Sequence, residues 1–252
     1  MAGTLNRDQF VTEICDVVKK AVSSLSISEA ELQTRVQARY LNYGQIRIAR
    51  RFSFHELNTI QESAATVDGV SRYPMISGTN NLGLTRPKDI YSIRLIDGAN
   101  SRTLVRIGQR TFDDAVVLKT NFTEARPQVY TRWGNNVEMF KVPDDAYTLY
   151  IRYPQWPTNF SAAGQTSDFD NKDDLVLQAG VVETFLALQE STHANTWEGK
   201  FNRTLNEAIG AVGDTDWSPQ GEAFEDSRMA GSGTPWTSPF GDEEDPLYGK
   251  EG

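Results

Sequence analysis

Apolar periodicity stops at Gly213, so whatever this 252-residue chain folds into must be built from the residues before it. Beyond that point Pro and Gly recur and acids are dense: Asp214, Asp216, Glu222, Glu225, Asp226, Asp242, Glu243, Glu244, Asp245 and Glu251, opposed only by Arg228 and Lys250. Ten acids against two bases place −8 of the chain's formal charge of −9 in this segment, and residues 1–212 are left near neutral. The same segment carries Trp217, Phe224, Trp236, Phe240 and Tyr248. A purely solvating tail is usually poor in aromatics, whose apolar area needs covering. Residues 213–252 therefore read either as a loose end or as an extended arm that folds onto a partner.

Before the arm, the chain starts with helical grammar. Asn6 is placed to cap, Gln9 sits at the third helical position, and Leu5 with Phe10 makes a hydrophobic staple. Phe10, Ile14, Val17, Val18, Ala21, Val22 and Leu25 follow at spacings of three and four, which makes one apolar stripe. Ser28 with Glu31 and Ile27 with Leu32 repeat the pattern, opening a helix that runs to about Phe52. Its apolar residues form two stripes, Leu32, Val36, Tyr40 and Tyr43 on one and Ala38, Leu41, Ile48 and Phe52 on the other. A helix apolar on two sides packs between neighbours.

After Gly69 the texture changes to turns, with Pro74, Gly78, Asn80, Asn81, Gly83 and Pro87, and then to strands at 90–96, near 103–107 and over 128–153. Trp133-Gly134-Asn135-Asn136 marks a hairpin, Val137 and Met139 alternate with Glu138 and Phe140, and Pro143-Asp144-Asp145 turns the chain again into Leu149, Ile151 and Tyr153. This predicts an antiparallel meander ended by Pro154 and Pro157. Helical period then resumes. Asp170 or Asn171 caps a helix with stripes Leu175, Ala179, Val182, Leu186 and Val181, Phe185, Leu188. A second helix carries Trp197, Phe201, Leu205, Ala208, Ile209 and Val212, with Gly213 placed to end it. The expected fold is α+β: a four-helix bundle of the N-terminal pair (1–66) and the C-terminal pair (168–212), an inserted antiparallel β domain (67–167), and the C-terminal arm (213–252).

Templates for chemistry fail on inventory. The chain has two histidines and one cysteine, no 18-residue apolar run, and no charged-then-apolar start, so neither a disulfide, a membrane span nor a signal peptide is expected. His55 reads as a turn residue. Glu190 and His193 have the spacing of one half of a di-iron motif, but no second copy exists. Asp168, Asp170, Asp173 and Asp174 lack the spacing, the glycine and the closing glutamate of a calcium loop, and acids suit a helix N-terminus anyway. No metal or cofactor is expected. An enzyme reading would need Glu138 with Asp144 or Asp145 as a carboxylate pair near Trp133 and Trp156, acting on carbohydrate.

One feature favours nucleic acid. The second helix carries Arg35, Arg39, Arg47, Arg50 and Arg51, of which Arg35, Arg39 and Arg50 share a stripe with Asn42 and Ile46. That stripe is a candidate phosphate-tracking face or a face toward another subunit; no aromatic platform or helix-turn-helix spacing accompanies it.

The order of parts also carries a resemblance. Two capped helices come first, then a strand region containing Tyr130-Thr131-Arg132-Trp133-Gly134-Asn135-Asn136-Val137-Glu138-Met139-Phe140 and Pro143-Asp144-Asp145-Ala146-Tyr147-Thr148-Leu149, then helices from Leu175 to Trp197 and beyond. Over residues 1–212 this resembles the head-to-tail adaptor (connector, or head-completion) proteins of tailed bacteriophages. The resemblance implies a structural protein of the virion neck without catalytic activity, assembled in the host cytoplasm. Such proteins form a ring, commonly of twelve copies, beneath the capsid portal. The ring meets a tail or nozzle protein below and passes double-stranded DNA without sequence-specific binding. It further implies a C-terminal extension that grips the portal protein, with Trp217, Phe224, Trp236, Phe240 and Tyr248 as the anchors. The alternative is a nucleic-acid-binding or packaging-associated protein acting through the helix-two arginines.

Overall fold

The computed structural model describes residues 5–22, 27–117 and 124–212. In chain order its elements begin with α1 (Arg7–Ala21), α2 (Glu29–Arg35), a π-helical segment (Val36–Tyr40) running without a break into α3 (Leu41–Arg51), and a 3₁₀ turn (His55–Leu57). There follow β1 (Asn58–Ala65), β2 (Arg72–Pro74), β3 (Ser92–Asp97), β4 (Asn100–Thr103), β5 (Val105–Arg106), α4 (Gln109–Val117), β6 (Val129–Trp133), β7 (Asn136–Phe140) and β8 (Thr148–Pro154). Two helices, α5 (Asp173–Ala187) and α6 (Ser191–Val212), complete the described chain. The class is α+β, and the chain divides into two compact units, residues up to 59 with those from 154, and residues 60–153.

The first unit is helical. α1 starts where its sequence says it should: Gln9 N–H donates to Asn6 Oδ1 at 3.0 Å, and Asn6 N–H donates back to Gln9 Oε1 at 2.9 Å. This closes a capping box that satisfies two otherwise orphaned donors. At Ser28 only half of the box forms. Its hydroxyl accepts from Glu31 N–H at 3.3 Å, while the Glu31 carboxylate turns to Arg35 one turn on. α5 departs from expectation. Neither Asp170 nor Asn171 caps it; Asn171 sits at φ 53° and Lys172 holds the cap position with no side-chain bond. The left-handed backbone at Asn171 leaves Lys172 as the first residue of the helix entry, where its side chain pairs with Glu56 and lies 4.9 Å over the Phe54 ring, and Asp173 Oδ2 accepts from Leu5 N–H at 2.7 Å.

α5 packs against α1, α3 and α6. Phe10, Ile14, Leu32, Leu41, Ile48, Phe54, Phe169, Val182, Phe185 and Phe201 are fully enclosed there, each apolar side chain contributing about 1.5–3 kcal/mol by leaving water. α3 and α5 meet backbone to backbone: a Cβ on Gly44 would lie 2.7 Å from Gly180 N. Arg47 ties three helices together, donating to Glu183 of α5 and Glu198 of α6, both at 2.7 Å.

The π segment changes the phase of the second helix. A π turn takes up an extra residue, so positions after it rotate relative to those before. Tyr43, expected in the Leu32–Val36 stripe, is therefore half exposed, and Ala38 of the other stripe is exposed as well. Leu41 and Ile48 keep their buried places. Leu186, expected in the first α5 stripe, is exposed near the helix end.

The second unit has two four-stranded sheets, ordered β1-β8-β3-β4 and β2-β7-β6-β5. β6 and β7 form the expected hairpin, with Trp133 opposite Asn136 and Gly134 at φ 57° in its turn. The predicted three-strand meander is broken, however. β8 leaves β7's sheet and pairs antiparallel with β3, Leu149 opposite Leu95 and Ile151 opposite Ile93. Alternation of side chains fixes which face is buried, and both sheets bury theirs in one core: Ile93, Leu95, Leu149, Ile151 and Tyr153 from one, Tyr73, Tyr130, Val137 and Met139 from the other. The turn at residues 143–145 thus carries the chain across a sandwich. One short pair, β5 with β6, is parallel, against the all-antiparallel expectation. Phe112 of α4 packs with Val129 and Phe140 on the far side of the second sheet.

Candidate interaction surfaces

The described residues contain no group of three or more His, Cys, Asp or Glu side chains that could hold a metal ion. The acids singled out in the sequence are occupied by local structure. Asp168 accepts from Thr158 N–H, and Asp173 accepts from Leu5 N–H. His193 stacks on Phe185, ring centroids 5.4 Å apart. Of the carboxylate pair imagined for carbohydrate chemistry, Glu138 meets Arg72 at 3.3 Å, Asp144 accepts from the Tyr147 hydroxyl at 2.6 Å, and Asp145 accepts from Ala146 N–H. His55 is exposed, 3.6 Å from Glu56. No described helix is long and apolar enough to cross a membrane.

What the structure offers instead is surface. On α3, Leu41, Gln45 and Ile48 face the interior, and at about 100° per residue Tyr43, Ile46 and Arg50 fall on the opposite side. Arg39, at the end of the π segment, is exposed with them. Among the described residues Arg39 and Arg50 make no ion pair. Arg35 is engaged by Glu31, and its guanidinium is held above its usual pKa by hydrogen bonds to Glu31 and Tyr40. The expected stripe of Arg35, Arg39, Asn42, Ile46 and Arg50 is corrected at Asn42. That side chain is buried and accepts from Phe160 N–H at 2.8 Å. Arg47 and Arg51 point toward Glu183 and Glu198.

The β unit carries two further surface features. On the sheet of β3 and β8, Arg94 lies opposite Tyr150, and the Arg152 guanidinium sits 5.5 Å over the Tyr150 ring. At the β6–β7 hairpin, Trp133 is 56% exposed, and Ile76 just beyond β2 is 50% exposed. An exposed Trp at a two-residue turn has no alternating partner, so only its neighbours in space identify it as surface. Near the same hairpin Asp89 is clamped by Arg106 at 3.1 Å and Arg132 at 3.0 Å. Burial opposes its ionisation, but the guanidiniums and the Ile90 N–H outweigh burial and hold the carboxyl below its ordinary value. Tyr130, enclosed beside this clamp, has its hydroxyl pushed up to about 12 by burial.

Trp217, Phe224, Trp236, Phe240 and Tyr248, the expected anchors of the arm, lie outside the described residues, as does Gly213.

No curated protein matches the chain. The family model described as SU10 adaptor protein does match it over residues 11–223, taking in the helices, both sheets and the start of the acidic segment, so the head-to-tail adaptor resemblance holds and the chain belongs to the SU10 adaptor protein family.

Proposed function

We propose that this chain is the structural adaptor of a phage virion neck, forming a ring that joins the capsid portal to the tail and extends the channel through which DNA leaves. The observation that carries the reading is the family match over residues 11–223. In this account α1 with α2–α3 and α5 with α6 make a four-helix bundle that builds the ring, commonly of twelve copies. The β unit inserted between the helix pairs supplies surface for neighbours above and below. The arm, residues 213–252, grips the portal protein through Trp217, Phe224, Trp236, Phe240 and Tyr248, while its acids set register and speed encounter. A segment that orders on binding gains little affinity per unit area, and repetition around the ring offsets this by avidity. A tail or nozzle protein meets the other side, and double-stranded DNA passes without sequence-specific contact.

The test is removal of residues 213–252. The truncated chain, with circular dichroism unchanged in shape, is expected to lose attachment to purified portal rings in a sedimentation assay. Undiminished attachment would sink the arm's role. The second reading, nucleic-acid binding through helix two, draws on the exposure of Arg39 and Arg50. It requires DNA affinity that falls steeply with salt and is lost on Arg35→Ala with Arg39→Ala.

A further inference from the structure

We propose that neighbouring copies in the ring meet head to tail through two helix faces of the helical unit: the Arg39–Tyr43–Ile46–Arg50 face of one copy against the α1 face bearing Glu13 and Asp16 of the next. This rests on the adaptor reading, which supplies the ring. It goes further by naming the two surfaces.

The helix-two face has the composition of a contact rather than of a solvated helix. Tyr43 is 50% exposed although Leu41 and Ile48 already bury the other side of its helix. Ile46 is partly exposed beside it, and two arginines that make no ion pair among the described residues flank the pair. Tyr and Arg are the residues most enriched where interfaces carry their energy. The sequence keeps the other arginines of this helix occupied: Arg35 by Glu31, Arg47 by Glu183 and Glu198, Arg51 by Glu198 at 3.4 Å. Arg39 and Arg50 are left outward with no ion pair among the described residues, so an acidic counterpart is the partner they fit.

α1 supplies that counterpart. Phe10, Ile14, Cys15 and Val18 face the interior, and Gln9, Thr12, Glu13, Asp16 and Lys20 lie on the reverse side. Glu13 has no ion pair among the described residues, and Asp16 reaches Lys19 only at 3.9 Å. Asp8 is bound by Arg7 and Lys19 by Glu29, so neither offsets the acids. Only Lys20 opposes them on this face. Asn6, Asp8, Gln9, Thr12 and Glu13 line a shallow concavity at its N-terminal end. α1 and α3 each pack against α5, and the two outward faces lie on different helices. Two different, complementary surfaces are what a closing head-to-tail contact needs.

Charge reversal tests this with a built-in rescue. One full-length variant carries Glu13→Lys with Asp16→Lys; the other carries Arg39→Glu with Arg50→Glu. All four sites are exposed, so both variants are expected to keep the wild-type circular dichroism. Copies seated on purified portal rings are counted by native mass spectrometry. Either variant alone sets like charge against like and is expected to need about tenfold or more protein to fill the ring. An equimolar mixture restores filling where the variants alternate, because each contact then joins either two native faces or two reversed faces, and both pairings are of opposite charge. The proposal is overturned if either variant fills the ring like wild type, or if both are impaired and the mixture does not recover. Wild-type protein that fails to seat on portal at all refutes the adaptor reading and this interface with it. Wild-type filling with indifferent variants refutes the interface alone.

Discussion

Replacing Gly44 by Ala isolates the contact on which the helical unit is built. In an open helix the substitution stabilises by about 0.8–1.0 kcal/mol, since alanine loses less backbone entropy. At Gly44 the new methyl would lie 2.7 Å from Gly180 N, 3.0 Å from Ala179 C and 3.1 Å from Gly180 Cα. All three are backbone atoms of α5 and cannot rotate away, so α3 and α5 must separate. Overpacking of this kind costs about 1–3 kcal/mol. The control is Gly199 on α6, where an added Cβ meets nothing within 4 Å and only the favourable term remains. For a chain of this size 1 kcal/mol moves the melting temperature by about 2–4 °C. Gly199→Ala is expected to melt above wild type by that amount. Gly44→Ala should melt below Gly199→Ala by roughly 2–12 °C, the whole overpacking cost. Gly180→Ala should fall between them, because its methyl meets Ile14 Cδ1 at 2.7 Å, the far end of a side chain that can turn. Thermal unfolding followed by far-UV circular dichroism orders the three. If Gly44→Ala rises together with Gly199→Ala, the backbone contact between α3 and α5 is not made and the packing argument fails.

Three other perturbations follow from buried or clamped charges. Lys172→Met leaves the Glu56 carboxylate, 7% exposed, without its cation and should cost about 3–5 kcal/mol in urea unfolding, while adding Glu56→Gln recovers most of the loss. A single variant as stable as wild type would refute the pair. Asp89 has a folded-state pKa below its ordinary 3.8, so its contribution is present above that pH and is lost as pH falls through the lower folded value. The stability gap between wild type and Asp89→Asn should thus be constant near neutral pH and close below about pH 4; a gap independent of pH counts against the clamp. Cys15 is buried and its thiol is pushed up to about 11 from 9.0, chiefly by burial. At mildly alkaline pH its thiolate fraction falls about a hundredfold, so a thiol reagent should modify it only after denaturation, and rapid labelling of the native protein would contradict the burial.

Local chemistry was legible in the sequence, and tertiary choices were not. The Asn6–Gln9 box appears as read because both partners sit within four residues. Ser28 caps as its sequence predicts, yet Glu31 pairs with Arg35, a competitor that the capping rule does not weigh. The inward residues of β7 and β8 were visible from alternation, but alternation names a face and not a neighbour, so the transfer of β8 to a second sheet was hidden. β1 is hidden in the sequence because its burial scarcely alternates, and α4 is a short helix of nine residues. The surface suffered most from the π segment. A single slip of helical phase between Val36 and Tyr40 turned Tyr43 outward, and Asn42 was misplaced into the arginine stripe. Arg39 and Arg50 were nonetheless found exposed on one side.

The most direct measurement of the central claim is imaging of full-length protein mixed with purified portal rings by electron microscopy. The account predicts a coaxial ring of added density on one face of the portal, present in proportion to the protein supplied and saturating at a fixed number of copies. Portal particles that look the same with and without saturating protein would contradict it.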